Sequence, residues 1–401
     1  MSGGVRKQVS TGAAPLTGSA VRSPGRGPGI CFHRAAARLG ASGHGLHRVR
    51  GFRIAQVKAS ALDGSAFVGT GAATVSDVGE GLGDVEWHRD FKDRFVVGDV
   101  IGEGQQGLVR EAVSRETGRV AAVKVLARDA GEHSRAEESK VRSEARFLQR
   151  LQSCPAVARM FGAYEDDEHV YIVMEQIDAG SMGDALEEAG RFTEWEAAYL
   201  MHAVFGFLAH SHDEGIFYGD VKPANFMLCT APCQDCERQC TSGRLRGLIV
   251  KAIDFGTCQQ RIPGVHFRKR AGSPMYMAPE VFLGRYDVEA DLWSAGVMLF
   301  QLLSGRLPFA EYDDAGEVVD IGMHLGFSFE GTVWEGVSSE AKDLISKLLV
   351  RIPRKRVSAK AALDHSWFKN TLEHVERRKA GMEESSIVAA PGIVAAEARC
   401  L

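Results

Sequence analysis

The sequence predicts an α+β fold in two lobes, a small strand-rich lobe followed by a larger helical one. Two observations carry that expectation. Three short apolar runs, Phe95–Val97, Val109–Val113 and Val120–Leu126, follow one another with tight turns between them, Thr117-Gly118 marking one. From about Thr193 onward the apolar residues recur instead at helical spacing. Strands first and helices afterwards read as segregated layers rather than alternating βαβ units.

Each element has its own signal. The three runs are strands of an N-terminal sheet, the third wholly apolar except for Lys124 near its end. A helix follows over Ser134 to Leu151, with Val141, Ala145, Phe147, Leu148 and Leu151 on one face. Val170–Gln176 is a further apolar strand. Thr193 and Glu196 form a capping box, opening a helix whose buried stripe is Ala197, Leu200, Met201, Val204 and Leu208. A second buried helix runs from about Asp291 to Leu303 and stops at Gly305, a candidate left-handed cap.

The chain has 401 residues, 45% hydrophobic and 25% charged, which suits one large globular domain or two moderate ones. No apolar stretch is long enough to span a membrane. Eight cysteines are too sparse for a disulfide-built secreted fold, and a net charge of −4 argues against a nucleic-acid binder. Residues 1–62 nevertheless carry eight Arg and two Lys with no acid, the first being Asp63. This Arg-, Ser- and Ala-rich composition is expected to be disordered and reads as a transit peptide over 1–59, a plain basic tail being the competing reading. Val57-Lys58-Ala59-Ser60 resembles a plastid stromal processing signal, so the expected location is the plastid stroma, with mitochondrion and cytoplasm as alternatives. Residues 60–92 read as a polar, Gly-rich connector, with order expected from about Asp93.

The chemistry is concentrated in a few short motifs. Ile101, Gly102, Glu103, Gly104, Gln105, Gln106, Gly107, Leu108 and Val109 form a GxGxxGxV run between two strands. Glycines let backbone N–H groups approach polyphosphate closely. A bare hairpin turn is the competing reading of the motif alone, and a dinucleotide site is excluded because a strand, not a helix, follows Gly107. Lys124 lies within reach of phosphates held by that loop, and Glu144 on the next helix is available to pair with it. Tyr218-Gly219-Asp220-Val221-Lys222-Pro223-Ala224-Asn225 and Asp254-Phe255-Gly256 each follow an apolar segment. A carboxylate there can take a proton from a hydroxyl nucleophile while Lys222 stabilises a transferring phosphoryl group. Asn225 and Asp254 are hard oxygen ligands suited to Mg²⁺.

These motifs, in this order over Phe95–Phe368, resemble the eukaryotic protein kinases, and their spacing is highly specific. The resemblance implies a bilobal kinase fold over 93–368 with a tail over 369–401. It also implies ATP and Mg²⁺ as cofactors and a protein substrate bearing Ser or Thr. It assigns Asp220 as base, Lys222 and Lys124 as phosphate contacts, Glu144 as the partner of Lys124, and Asn225 and Asp254 as metal ligands. ATP would also touch the glycine loop, Ala122 and the backbone of Glu175 and Ile177, with Met174 as gatekeeper. The run Gly272–Glu280 resembles the end of an activation segment, with Glu280 pairing Arg356. Lys222, two residues after the base, is the serine/threonine arrangement. Gly305–Phe309 and His365–Phe368 are similar to the calcium/calmodulin-dependent and plant calcium-dependent kinase group, although the residues after Phe368 show no EF-hand pattern and hence no integral calcium sensor.

Three departures stand out. Gly219 occupies the position where that family carries an Arg that pairs with an activation-segment phosphate, so activity independent of such phosphorylation is expected. Ser181 and Ala224 stand where basophilic members place acids, which removes the expectation of an Arg-directed preference. Between Asn225 and Asp254 an insertion, 229–243, carries Cys229, Cys233, Cys236 and Cys240. Zinc, a redox-active disulfide and plain thiols all stay open, and Cys258 is a candidate disulfide partner. An active kinase is the leading reading; a pseudokinase-like scaffold or a redox- or metal-sensing binding module is the alternative.

Overall fold

The structure, a computed structural model, describes residues 83–379 apart from 105–106, 129–131, 231–244, 246 and 310–325. The expected transit peptide and most of the cysteine insertion and tail therefore lie outside the described residues. The first lobe is a six-stranded sheet in the order β1-β5-β6-β4-β3-β2. Its strands are β1 (Trp87–His88), β2 (Phe95–Gly104), β3 (Gly107–Ser114), β4 (Val120–Ala127), β5 (Met160–Glu165) and β6 (His169–Glu175). The three apolar runs are β2, β3 and β4, paired antiparallel as tight turns require. β4 lies inside the sheet, flanked by β3 and β6, which explains its near-continuous apolar run. Helix α2 (Glu132–Arg150) packs Val141, Ala145, Phe147 and Leu148 inward, as its periodicity predicts.

Order begins earlier than the composition of 60–92 suggests. β1 joins β5 in parallel, and α1 (Phe91–Arg94) drops Phe91 onto the outer face of the sheet. The Phe91 ring stacks on Tyr171 at 3.9 Å between centroids and also meets Phe95 and Tyr164, so that it is only 2% exposed. Arg142 of α2 lies over the Trp87 ring at 4.5 Å. Two aromatic anchors suffice to order a polar segment, and averaging over a long Gly-rich window conceals them. Phe91→Ala is expected to destabilise the chain by about 3–5 kcal/mol, as aromatic truncation in a packed core does. A denaturant melt of variant against wild type measures this; a change below ~1 kcal/mol would show the contact to be superficial.

The second lobe is helical. Its helices are α3 (Met182–Ala189), α4 (Glu194–Asp213), α5 (Pro279–Phe282), α6 (Glu289–Ser304), α7 (Ser339–Leu348), α8 (Ala359–Leu363) and α9 (Ser366–Lys379). The Thr193–Glu196 capping box forms in both directions, Thr193 Oγ1 accepting from the Glu196 N–H and the Glu196 carboxylate accepting from the Thr193 N–H. α6 is buried nearly all round and ends at Gly305 with φ 76°, as the sequence predicts. A Cβ there would sit 2.3 Å from the Gly190 carbonyl oxygen, so glycine is required twice over. Against α4 lie the short strand β7 (Ile216–Phe217), which pairs with β10 (Gln259–Gln260), and β9 (Ile249–Ala252), which forms a hairpin with β8 (Phe226–Cys229).

Candidate active site

β2 ends at Gly104 and β3 begins at Gly107, so the glycine run is a strand-to-strand turn; Gln105 and Gln106 lie outside the described residues. Gly107 has φ +138°, and a Cβ would lie 2.5 Å from the Val125 carbonyl oxygen, which only glycine tolerates. Ile101 and Leu108 are exposed along this strand pair, while Ala122 is buried in β4 beneath it. Lys124 pairs with Ile172 across the sheet and points at α2, where its Nζ donates to Glu144 Oε2 at 2.6 Å. Both side chains are nearly fully buried. Burial pushes the Glu144 carboxyl up, Lys124 opposes that, and nearby Asp254 adds to it. An ion network missed from the sequence holds α2 in register. Arg128 at the end of β4 bonds Glu138 at 2.9 Å and Glu165 at 2.7 Å, and Arg142 bonds Glu138 at 2.8 Å.

At the end of β6, Glu175 has its N–H committed to the Arg159 carbonyl at 2.8 Å. Its carboxylate accepts from the Arg159 N–H at 2.8 Å and pairs with buried Lys251 at 3.0 Å. The Glu175 carbonyl, not its amide, is therefore the backbone group left to meet a ligand. Met174 and Ile177 are half-buried on either side of it.

The expected base loop, Tyr218–Asn225, hangs from α6. Asp291, 1% exposed, accepts from the Tyr218 N–H at 3.0 Å and the Gly219 N–H at 2.8 Å, and bonds His212 Nε2 at 2.9 Å. Tyr218 Oη donates to the Ile253 carbonyl at 2.5 Å, and Thr257 Oγ1 donates to the Tyr218 carbonyl at 2.8 Å. Gly219 has φ +86°, and a Cβ would press on Phe217 at 2.9 Å. The Asp220 carboxylate then collects three donors: Lys222 Nζ at 2.7 Å, Asn225 Nδ2 at 2.8 Å and the Ser273 N–H at 2.8 Å. Lys222 also donates to Ser273 Oγ at 2.8 Å. Gly272, φ +102°, lets the activation segment lie against the base loop, since a Cβ there would be 2.1 Å from the Gly219 carbonyl oxygen.

The β8–β9 hairpin brings the two expected oxygen ligands, Asn225 and Asp254, close together. The Ile253 N–H donates to the Asn225 carbonyl at 3.0 Å, which places Asp254 one residue beyond. Asp254 has φ 61°, the non-glycine residue with positive φ among the described residues. Such a conformation costs roughly 1–2 kcal/mol and is held by its surroundings. Phe255 is buried at 5.8 Å from the Tyr218 ring and 6.2 Å from Phe207. Because Asn225 spends its amide hydrogens on Asp220, its Oδ1 is the atom left to act as a ligand. With the Asp254 carboxylate this is a hard-oxygen donor set that fits Mg²⁺. Glu280 and Arg356 form the expected buried pair, two-pronged and 2.8 Å at Arg356 Nη2–Glu280 Oε2.

Most of the cysteine cluster lies outside the described residues. Cys229 is buried at the end of β8, and Cys233, Cys236 and Cys240 lie outside the described residues. Among the described residues no group of His, Cys, Asp or Glu side chains forms a zinc-type site. Cys258, the candidate disulfide partner, is instead a buried thiol without a disulfide; burial raises its pKa, which keeps it protonated and inert. No helix among the described residues is long and apolar enough to cross a membrane.

The profile of the protein kinase domain family matches residues 95–368. The chain is 35% identical over 291 residues to calcium-dependent protein kinase 22 of Oryza sativa subsp. japonica, covering 72% of this chain and 48% of that one. It is 33% identical over 285 residues to calcium-dependent protein kinase 31 of Arabidopsis thaliana, covering 70% and 56%. Calcium-dependent protein kinase 2 of Zea mays is 33% identical over 282 residues, covering 70% and 48%. The chain spans about half the length of the curated relatives it matches.

Proposed function

This chain belongs to the protein kinase family, and from that membership we propose that it is a serine/threonine protein kinase transferring the ATP γ-phosphate to protein hydroxyls. The observation that carries the reading is the Asp220 carboxylate, fixed by Lys222, Asn225 and the Ser273 N–H in a loop anchored to α6. A carboxylate so oriented accepts the proton of a substrate hydroxyl as the hydroxyl attacks phosphorus. Lys222 faces the transferring phosphoryl group, and Lys124, oriented by Glu144, fixes the phosphates that remain. The Glu175 carbonyl and the Ile177 backbone address adenine. Asn225 and Asp254 would hold Mg²⁺, which when bound neutralises charge on the phosphate oxygens. Phosphate incorporation from Mg-ATP into a peptide library tests the proposal; nucleotide binding without transfer under any metal would favour the scaffold reading.

The same kinase is proposed to need no phosphate on its activation segment. The hydroxyls between Asp254 and Glu280 are Thr257, Ser273 and Tyr276. Each is engaged: Thr257 with the Tyr218 carbonyl, Ser273 with Lys222, and Tyr276 with Gln301 at 2.6 Å. Burial pushes the Tyr276 phenol up to about 12. Phosphatase treatment is therefore expected to leave turnover within about twofold, since phosphorylation here would break existing bonds rather than add one. Loss of turnover on that treatment would refute this part.

A further inference from the structure

From Phe255 to Pro279 the chain carries Arg261, Arg268, Lys269 and Arg270 with no Asp or Glu. Two of these cations are spent locally. Arg261 Nε pairs with Asp287 at 2.9 Å, and Arg270 donates to the Phe282 carbonyl at 2.8 Å while its guanidinium sits over the Phe282 ring. Arg268 and Lys269 are exposed, and their side chains make no hydrogen bond or ion pair among the described residues. A third cation joins them through the backbone. Phe267 and Tyr286 form an antiparallel bridge, the Phe267 N–H donating to the Tyr286 carbonyl at 2.9 Å and the reverse bond closing at 3.2 Å. That register sets Arg268 opposite Arg285, which is likewise exposed and without a side-chain partner among the described residues.

Like charges facing each other across an antiparallel pair are unfavourable unless an anion lies between or beside them. The neighbouring carboxylates cannot serve, because Asp287 is held by Arg261 and Glu280 by Arg356. The cluster is also close to the reacting centre. Ser273 bonds Asp220 directly, and Lys269 precedes Ser273 by only four residues, which limits the separation to roughly 14 Å. An extended peptide with its hydroxyl at Asp220 covers that span in about four residues.

We infer that Arg268, Lys269 and Arg285 form a substrate-recognition site that selects protein segments bearing Asp or Glu within about four residues of the phosphorylated hydroxyl. The inference rests on the phosphotransfer reading above. Arginine forks match carboxylates geometrically, and exposed pairs of this kind add modest affinity each, so selection arises from the cluster rather than from one residue. The groove beside Lys222 is a separate feature; it is lined by Leu186, Glu187, Pro223 and Tyr276.

The test compares matched Ser peptides flanked by Glu, Ala or Lys, using the full chain, wild type and Arg268→Glu/Arg285→Glu. Wild type is expected to favour Glu over Lys flanks by about tenfold in kcat/KM, with the preference shrinking as salt rises. The charge-reversed double variant is expected to lose or invert that order, and Lys269→Glu, at an exposed side chain, to shift it in the same direction. Equal rates on all flanks, with the Ala peptide phosphorylated, would overturn this inference and leave the kinase reading standing. Should no peptide be phosphorylated, the kinase reading itself fails. Equilibrium binding of the same labelled peptides then decides the recognition site, a Glu preference supporting it and equal binding overturning it.

Discussion

Asp220→Asn is expected to lower phosphotransfer by about 10²–10⁴-fold, the range typical of losing a positioned general base. The carboxylate accepts from Lys222, Asn225 and the Ser273 N–H, all between 2.7 and 2.8 Å. An asparagine of the same shape offers one oxygen and turns an NH₂ group toward donors. It also cannot take the hydroxyl proton. The fold should survive, because the loop backbone is held independently by Asp291. The check is single-turnover transfer from Mg-ATP beside a thermal melt. A variant that melts like wild type and transfers within tenfold of it would remove Asp220 from the base role.

Lys124→Met should cost about 10²–10³ in rate, comparable with removing one preorganised charge from a transition-state site. Removing one member of a buried ion pair commonly destabilises strongly, since the other charge is stranded. Here Glu144 has a way out. Burial and the neighbouring Asp254 already push its carboxyl up, so without Lys124 it takes a proton and becomes neutral. Activity is therefore expected to fall far more than stability. The measurement is kcat and nucleotide affinity with a denaturant melt as control; a variant that simply unfolds would contradict this separation.

What the sequence makes legible is what short-range chemistry encodes. The glycine run, Lys124 with Glu144, the Asp220–Asn225 loop and Asp254 are recognised because few other chemistries need those residue types in that order. The Thr193 cap and the Gly305 stop are equally local. The remainder depends on contacts that no local pattern announces. Asp291 reaches Tyr218 and Gly219 across 73 and 72 residues, and Ser273 reaches Asp220 across 53. Trp87 and Phe91 are single aromatics in a polar stretch, visible only once Arg142 and Tyr171 are in place. β5 escapes notice because its Met160–Glu165 run mixes Gly, Ala and aromatics without a clean alternation.

The bonds from Asp291 change what kind of object the base loop is. Outside the short 3₁₀ turn Pro223–Asn225 its residues lack regular secondary structure, and loops ordinarily occupy the low end of a protein's spectrum of local opening free energies. This one is pinned through two backbone amides to a carboxylate on a helix buried nearly all round. Detaching it means either leaving the buried Asp291 carboxylate with only His212 of its three partners or dislodging α6 from the centre of its lobe. The base loop thus opens only with the second lobe as a whole, and its thermodynamic fate is that of the core rather than of the surface.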